Sequence, residues 1–352
     1  MDQNFVILGA GINGLACAYR IARLFSGTSI QIIAERFSPD TTSDVAAGLW
    51  EPYLLGDTPR ESVRKWSRET YEFFHGLWKS GQAEECGLCL IPYVALSEED
   101  SLDNSFWSDF VFGYRDISED RLQQQGKEHG KNYRSGAEFV TFTCEPTKLM
   151  RYFTKALIKH GAKFHKRRVE DCISEDLVAG SKHSIVINCL GLGASQLVQD
   201  PKLIPCRGQI RRVRAPGMFH VLINDTKYII PNTDRVTLGG TQQMGDSDSR
   251  VRQTDTDLIG GGCCELNPTL SRASVLGDLV GFRPVRDAVR LELEWMNLGN
   301  QKAAVIHNYG HGGSGITLCW GCAGDVLNLI TQLNQPKDDE VQKQGLMTLS
   351  KL

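Results

Sequence analysis

Apolar and polar positions along this chain follow three patterns, each predicting a different kind of element. The first is a continuous apolar run too short for a helix. It occurs at Phe5–Leu8, at Ser29–Ala34 and at Ser184–Leu190, and it returns at Ala303–Tyr309. Runs of this kind predict strands buried on both faces, as in a parallel sheet flanked by helices. The second pattern is helical. An Ala/Leu-rich stretch follows the first strand and ends at Phe25. Arg60–Lys79 carries Trp66, Tyr71, Phe74 and Trp78 along one broad aromatic side. Pro146 opens a helix on which Leu149, Tyr152, Phe153, Ala156 and Leu157 recur at helical spacing, and Gly161 ends it.

The third pattern is strict alternation, which predicts half-buried antiparallel strands. It runs through Arg207–Ala215, Lys227–Pro231 and Arg235–Thr241, and residues 80–144 show it more loosely between polar turns. Lys163–Val169 predicts one further strand. There are no internal repeats and no low-complexity segment. The interleaving predicts an α/β fold, in which a discontinuous Rossmann-like domain alternates with a mainly antiparallel β-sheet domain. We expect residues 1–58, 145–205 and 281–335 in the first and residues 59–144 and 206–280 in the second. Residues 336–352 would form a tail.

Between the first strand and its helix stand Gly9, Gly11 and Gly14, the G-x-G-x-x-G spacing of a dinucleotide-binding turn. The first glycine permits the turn, the second lets a pyrophosphate reach the backbone, and the third lets helix and strand close up. The helix N-terminus adds free N–H groups and a positive dipole end. Glu35 closes the next strand 21 residues after Gly14, where a carboxylate can hold a ribose hydroxyl. The spacing leaves open which dinucleotide binds. Downstream, Thr41, Thr42 and Ser43 offer hydroxyls to phosphate, and Ala46, Ala47 and Gly48 are small enough for a flat ring system to lie against the backbone.

Two other stretches suggest chemistry. Arg283 lies between Phe282 and Pro284, and a guanidinium fork is the best protein partner for a carboxylate. Tyr228 could add a hydroxyl to the same carboxylate. An Arg283–Asp287 ion pair and a core tyrosine are equally compatible with the sequence. The cluster Gly310-His311-Gly312-Gly313-Ser314-Gly315 offers consecutive N–H groups to a delocalised anion.

Composition narrows the partners. A net charge of −3 over 352 residues gives no basic surface for nucleic acid. We expect no membrane partner, because no apolar run approaches the ~18 residues of a span. The odd count of 11 cysteines does not suit a disulfide framework, and the Cys86/Cys89 and Cys319/Cys322 pairs lack a histidine at zinc-site spacing. Structural thiols and no metal are expected. Ser350-Lys351-Leu352 match the C-terminal peroxisomal address, and the polar stretch before them would leave that address accessible to its import receptor.

Taken together, GAGINGL, TTSDVAAGLWEPY, NCLGLGA, RGQI, YIIP, VTLGGT, GFRPVR, VIHNYGHGGSGIT and the final SKL resemble the FAD-dependent D-amino-acid oxidases and D-aspartate oxidases over nearly the whole chain. The resemblance implies FAD held by Gly9, Ala10, Gly11, Ile12, Asn13, Gly14, Glu35 and Arg36 at the ADP end. Val169 would sit by the adenine, with Gly191 nearby. Thr41, Thr42, Ser43, Ala47, Gly48 and Leu49 would line pyrophosphate and flavin. Gly312, Gly313, Gly315, Ile316 and Thr317 would surround the far end of the flavin. Arg283 would clamp the substrate carboxylate with Tyr228 and Gly313 beside the reacting atoms, and Trp50, Asn224, Gln242 and Ser314 would border the substrate. It also implies that Cα–H leaves as hydride to FAD without a protein base. The imino acid then hydrolyses to a 2-oxo acid and ammonia, and O₂ reoxidises the flavin to give H₂O₂, which suits a peroxisomal matrix. A homodimer is compatible with it.

Departures bear on the substrate. The Ala215–Lys227 segment is short, as in the D-aspartate oxidases, and carries Asn224 where neutral-substrate members have a tyrosine. Gln242 stands where the D-aspartate oxidases place an arginine. Trp50 and Gly313 follow the neutral-substrate members. The resemblance therefore implies mainly neutral D-amino acids, with D-aspartate and D-glutamate as the alternative. An NAD(P)-dependent dehydrogenase would share only the Rossmann start.

Overall fold

The computed structural model describes residues 3–102, 105–170, 184–298 and 301–335. The tail and its terminal tripeptide lie outside the described residues. Five strands form a parallel array: β1 (Asn4–Leu8), β2 (Ser29–Ala34), β6 (Lys163–Lys166), β7 (Ser184–Asn188) and β14 (Gln301–His311), in the order β14-β7-β1-β2-β6. Every residue of β1 is buried, as its unbroken apolar run requires. A largely antiparallel array holds β3 (Leu88–Ser97), β4 (Phe112–Asp116), β5 (Ser135–Cys144), β8 (Ile204–Arg214), β9 (Val221–Asn224), β10 (Lys227–Pro231), β11 (Val236–Gly239), β12 (Gln243–Met244) and β13 (Ser274–Leu298). β13 joins the two arrays, pairing with β8 along its first half and with β14 along its second. Among the described residues the result is one continuous 14-stranded sheet.

Helix α1 (Ile12–Leu24) packs against the Gly315–Leu333 helix, which in turn packs against the Arg60–Lys79 helix. Phe73 stacks on Trp320 with ring centroids 3.7 Å apart, and Arg20 donates to the Trp320 carbonyl at 2.7 Å. At 19 residues the Gly315–Leu333 helix is long and apolar enough to cross a membrane, contrary to the expectation that no run would be. Its apolar character follows from burial between two other helices, since Leu318, Cys319, Cys322, Ala323 and Val326 are fully inaccessible. An all-round apolar surface marks such a core helix as readily as a span.

Several boundaries shift from expectation. β6 stops at Lys166 because it is the sheet edge and Lys166, Arg167 and Arg168 face solvent. The buried strand of the second glycine unit ends at Asn188, two residues early. Trp78 is 42 % exposed, so the aromatic side of its helix is core only through Trp66, Tyr71 and Phe74. The short Ala215–Lys227 segment is no simple loop: it contains β9, which pairs with β10 on one side and β3 on the other. The cysteines placed in the core are buried thiols, and burial pushes Cys86 up to about 12.

Helix contacts make one stability test specific. A Cβ at Gly321 would lie 2.3 Å from the Trp66 backbone, whereas one at Gly76, on the exposed side of the partner helix, meets nothing. Gly321→Ala should therefore cost about 2–3 kcal/mol by overpacking. Gly76→Ala should instead stabilise by up to ~1 kcal/mol, both read by urea unfolding.

Candidate active site

The glycine turn opens a cavity of about 1270 Å³ that runs from the C-terminal ends of β1 and β2 to the antiparallel strands. Gly9 has φ +99°, and a Cβ there would meet the Cys189 carbonyl oxygen at 2.4 Å. Gly14 does not line the cavity. Its Cβ would strike the Gly9 carbonyl oxygen at 2.0 Å, so its role is the close helix–strand packing expected of the third glycine. The α1 N-terminus carries no side-chain cap, and the Ile12 N–H donates to Ser43 Oγ at 3.1 Å. Glu35, Arg36, Thr42, Ala47, Gly48, Leu49 and Gly191 also face the cavity. Thr41 borders it too, but its hydroxyl donates to Asp44 at 2.7 Å and is committed to capping the next turn rather than to phosphate.

At the other end stands Arg283 on β13, paired with Cys206 of β8. Its Nη1 donates to the Thr241 carbonyl at 2.9 Å, and Gly208 gives it room, since a Cβ there would sit 2.5 Å from Nη1. Asp287 instead pairs with Lys202 at 2.7 Å and with Arg286 at 2.9 Å. Among the described residues no carboxylate pairs with Arg283, which removes the Arg283–Asp287 alternative. The Thr241 hydroxyl is held by Gln209, whose backbone N–H donates to Thr241 Oγ1 at 2.9 Å. Gln209 in turn accepts from Arg207, a fully buried guanidinium bonded to Asp255 at 2.6 Å. The Tyr228 ring lies over Gly239 and Gly240, where Cβ atoms would approach it to 1.9 and 2.8 Å. Burial pushes the Tyr228 phenol up, with Arg283 opposing, so it stays a hydroxyl donor.

A family model described as FAD dependent oxidoreductase matches residues 4–329. The chain belongs to that family. It is 35 % identical to the D-aspartate oxidase of Homo sapiens over 93 % of this chain and 94 % of that one. To the D-amino acid oxidase of Dugesia ryukyuensis it is 33 % identical, over 94 % of this chain and 98 % of that one. Glycine oxidase from Geobacillus kaustophilus shares the fold, with a TM-score of 0.75 at 19 % identity over 94 % and 95 % of the two chains.

The cavity of this oxidoreductase fits FAD on observations of its own. It exceeds the roughly 300–1,000 Å³ of an ordinary small-molecule pocket. Its turn lets a ligand approach the backbone, and Asn13 Oδ1 is buried at its wall without a hydrogen-bond partner. Of the residues expected around flavin and substrate, Ala10, Ile12, Asn13, Asn224, Gln242, Gly312, Gly313, Gly315 and Ile316 line the cavity.

Besides Gly14, four expected residues do not line it. Trp50 is fully buried on the opposite side, with Nε1 donating to the Ser67 carbonyl at 3.0 Å and the indole packed edge-on against Tyr71, Trp107 and Phe110. Strand-like alternation explains this: Leu49, Glu51 and Tyr53 face the cavity, and Trp50 must face away. Ser314 Oγ accepts from the Tyr53 N–H at 2.6 Å and donates to the Tyr53 carbonyl at 2.7 Å. Thr317 Oγ1 does the same for Glu51, at 3.1 and 2.8 Å. Both hydroxyls fasten the cavity wall from behind. Val169 packs among Val6, Leu8 and Ile33.

Several cavity residues were not anticipated. Tyr53 lies over Gly313, where a Cβ would come within 2.3 Å of the ring, and its hydroxyl bonds Gln242. Tyr93 donates to Glu51 Oε1 at 2.5 Å. Burial raises the Glu51 carboxyl to about 7 although the Tyr93 bond favours its ionised form. Alternation about Trp50 was the available signal for Glu51 and Tyr53. His311 is pushed down to about 4 by burial, bonded to Asn308 at 3.0 Å, and therefore neutral.

The Glu51 shift predicts a pH effect. Below the ordinary value of 4.5 the group is protonated in folded and unfolded chains alike; between 4.5 and about 7 only the unfolded chain releases its proton. Its contribution is thus complete at low pH and lost as pH rises through 7. In urea unfolding of the cofactor-free protein, Glu51→Gln should add on the order of 2 kcal/mol near pH 8 and almost nothing near pH 4.5. Equal effects at both would contradict the assignment.

Proposed function

We propose that this oxidoreductase oxidatively deaminates D-amino acids, chiefly neutral ones: D-amino acid, O₂ and H₂O become 2-oxo acid, NH₃ and H₂O₂. The observation that carries the reading is a buried Arg283 with no carboxylate of the described protein to pair with, beside Tyr228 and Tyr53, in the same cavity as a dinucleotide turn. A ligand carboxylate completes such a site. The relatives named D-amino acid oxidase and D-aspartate oxidase support the same chemistry.

In this reading the Gly9–Asn13 turn, Ser43, Glu35 and Arg36 hold the ADP half of FAD, and Ala47–Leu49 with Gly312 and Gly313 border the flavin. Segments 1–58, 145–205 and 281–335 carry the cofactor and, through Tyr53 and Arg283, one wall of the substrate site; 59–144 with 206–280 carry the other wall. When bound, FAD supplies the acceptor for the electron pair of the Cα–H bond and returns it to O₂. The chain's own task is positioning. Arg283 and the Tyr228 hydroxyl fix the substrate carboxylate, which orients Cα and converts an encounter into a set geometry. Tyr53 and Gln242 close the cavity over Gly313. His311, neutral and already bonded, is not arranged to take a proton.

A D-aspartate oxidase reading is favoured by the human relative and by the short β9 segment. Against it, Gln242 is uncharged and Glu51 puts a carboxyl into the same cavity, where it would repel an acidic side chain.

The purified protein should be yellow and bleach anaerobically with D-alanine but not L-alanine; flavin unreduced by every D-amino acid would end the reading. Arg283→Ala should raise KM for D-alanine on the order of 100-fold, as loss of one partner of a buried charge pair does, with FAD retained. Unchanged kinetics would refute the clamp. The C-terminal Ser350-Lys351-Leu352 supports a peroxisomal matrix location, which would confine the peroxide product. A fluorescent fusion ending in this tripeptide should be punctate and one lacking Leu352 diffuse; identical distributions would exclude the signal.

A further inference from the structure

Glu51 is a carboxyl group facing a substrate cavity with a free valence. Oε1 is held by Tyr93, while Oε2 has no protein partner among the described residues, and no lysine, arginine or histidine of the described protein is paired with it. Its backbone is fixed on both polar atoms by Thr317, so the side chain starts from an immobile anchor.

Sheet register places this group relative to the carboxylate clamp. Tyr228 on β10 stands opposite Ile223 on β9, which stands opposite Ala95 on β3. Tyr93 precedes Ala95 by two residues and so shares its face, and all four line the cavity. Two strand spacings and two residues separate Tyr93 from Tyr228, roughly 12 Å between backbones. A ligand held by its carboxylate at Arg283 and Tyr228 thus extends along this face toward Glu51.

We infer that Glu51, oriented by Tyr93, is the receptor for the far end of the substrate side chain, and that it admits D-amino acids ending in a cation, such as D-arginine and D-lysine. This rests on the D-amino-acid oxidase reading and extends its substrate class from neutral to cationic side chains. The chemistry is that of a charge-assisted hydrogen bond in a partly dry site, where an incoming guanidinium or ammonium meets a carboxyl that the protein itself leaves uncompensated.

The test uses the FAD-loaded enzyme and two carboxylic acids of similar length, γ-guanidinobutyrate and hexanoate, as competitors of D-alanine oxidation. The guanidino acid should bind about tenfold tighter, a modest value for a close charge pair; equal or weaker binding would overturn the inference. Glu51→Gln should abolish that difference and lower the D-arginine to D-alanine ratio of kcat/KM by about the same factor, acting through KM. Tyr93→Phe, which leaves the carboxyl in place but removes its orienting bond, should narrow the difference without abolishing it. A ratio unmoved by Glu51→Gln would also overturn it. If Glu51→Gln fails to fold, the wild-type comparison decides alone. Should no D-amino acid be oxidised, the parent reading falls, and binding of the two acids can still be read from the flavin absorbance.

Discussion

The constraint on which the site depends is a guanidinium buried without a carboxylate. Removing a charge from water is costly, and a buried arginine normally carries an anion with it. Arg283 has instead the Thr241 carbonyl, the phenols of Tyr228 and Tyr53, and space left by Gly208. The Thr241 carbonyl and, weakly, the Cys206 sulfur engage only Nη1, so the fork keeps its capacity for a bidentate anion. The structure sustains this by compensating elsewhere. Arg207, more deeply buried, is fully occupied by Asp255, Gln243, Gln209 and two backbone carbonyls, and the Gln209 it bonds holds the hydroxyl of Thr241, whose carbonyl Arg283 leans on. Two arginines at neighbouring positions of the β8–β13 pairing thus do opposite work: one is saturated so that the other can remain unsaturated.

Close approach is the second device. Gly208, Gly239, Gly240, Gly312 and Gly313 sit where a Cβ would collide with Arg283, Tyr228, the Leu54 carbonyl or Tyr53. These glycines do not create flexibility. They let functional side chains lie flat against backbone, which fixes the side chains by packing and keeps the cavity wide. The cluster after β14, read from sequence as a source of N–H groups, serves at Gly312 and Gly313 chiefly in this steric way.

Much of this was legible in the sequence. The Gly9, Gly11 and Gly14 spacing, the helix Arg60–Lys79 and the strands Ser29–Ala34 and Lys227–Pro231 follow from periodicity and turn chemistry, which are local. Arg283 stood out because two apolar neighbours made casual solvation implausible. What was not legible depended on which side of an extended segment faces the cavity. Trp50 was expected at the substrate because it lies in the right stretch, yet a period of two sends it into the core and brings Glu51 and Tyr53 forward. Ser314 and Thr317 are near the site but bond to backbone, a use no residue pattern announces.

The two unpaired groups explain each other. Arg283 and Glu51 share one cavity without pairing, and strand register holds their tyrosine neighbours, Tyr228 and Tyr93, roughly 12 Å apart between backbones. Their responses to burial differ in kind. A guanidinium cannot shed its proton, so Arg283 stays charged and its cost is carried by the surrounding polar atoms. A carboxyl can take one up, so Glu51 relieves itself by binding a proton near neutrality. The carboxylate end of the cavity is therefore permanently charged, and the side-chain end adapts: partly protonated near neutral pH when empty or facing an apolar chain, ionised when a cation arrives. A fixed clamp at one end and a titratable receptor at the other let a single cavity hold neutral and cationic side chains without rebuilding, while an acidic side chain gains nothing from either state.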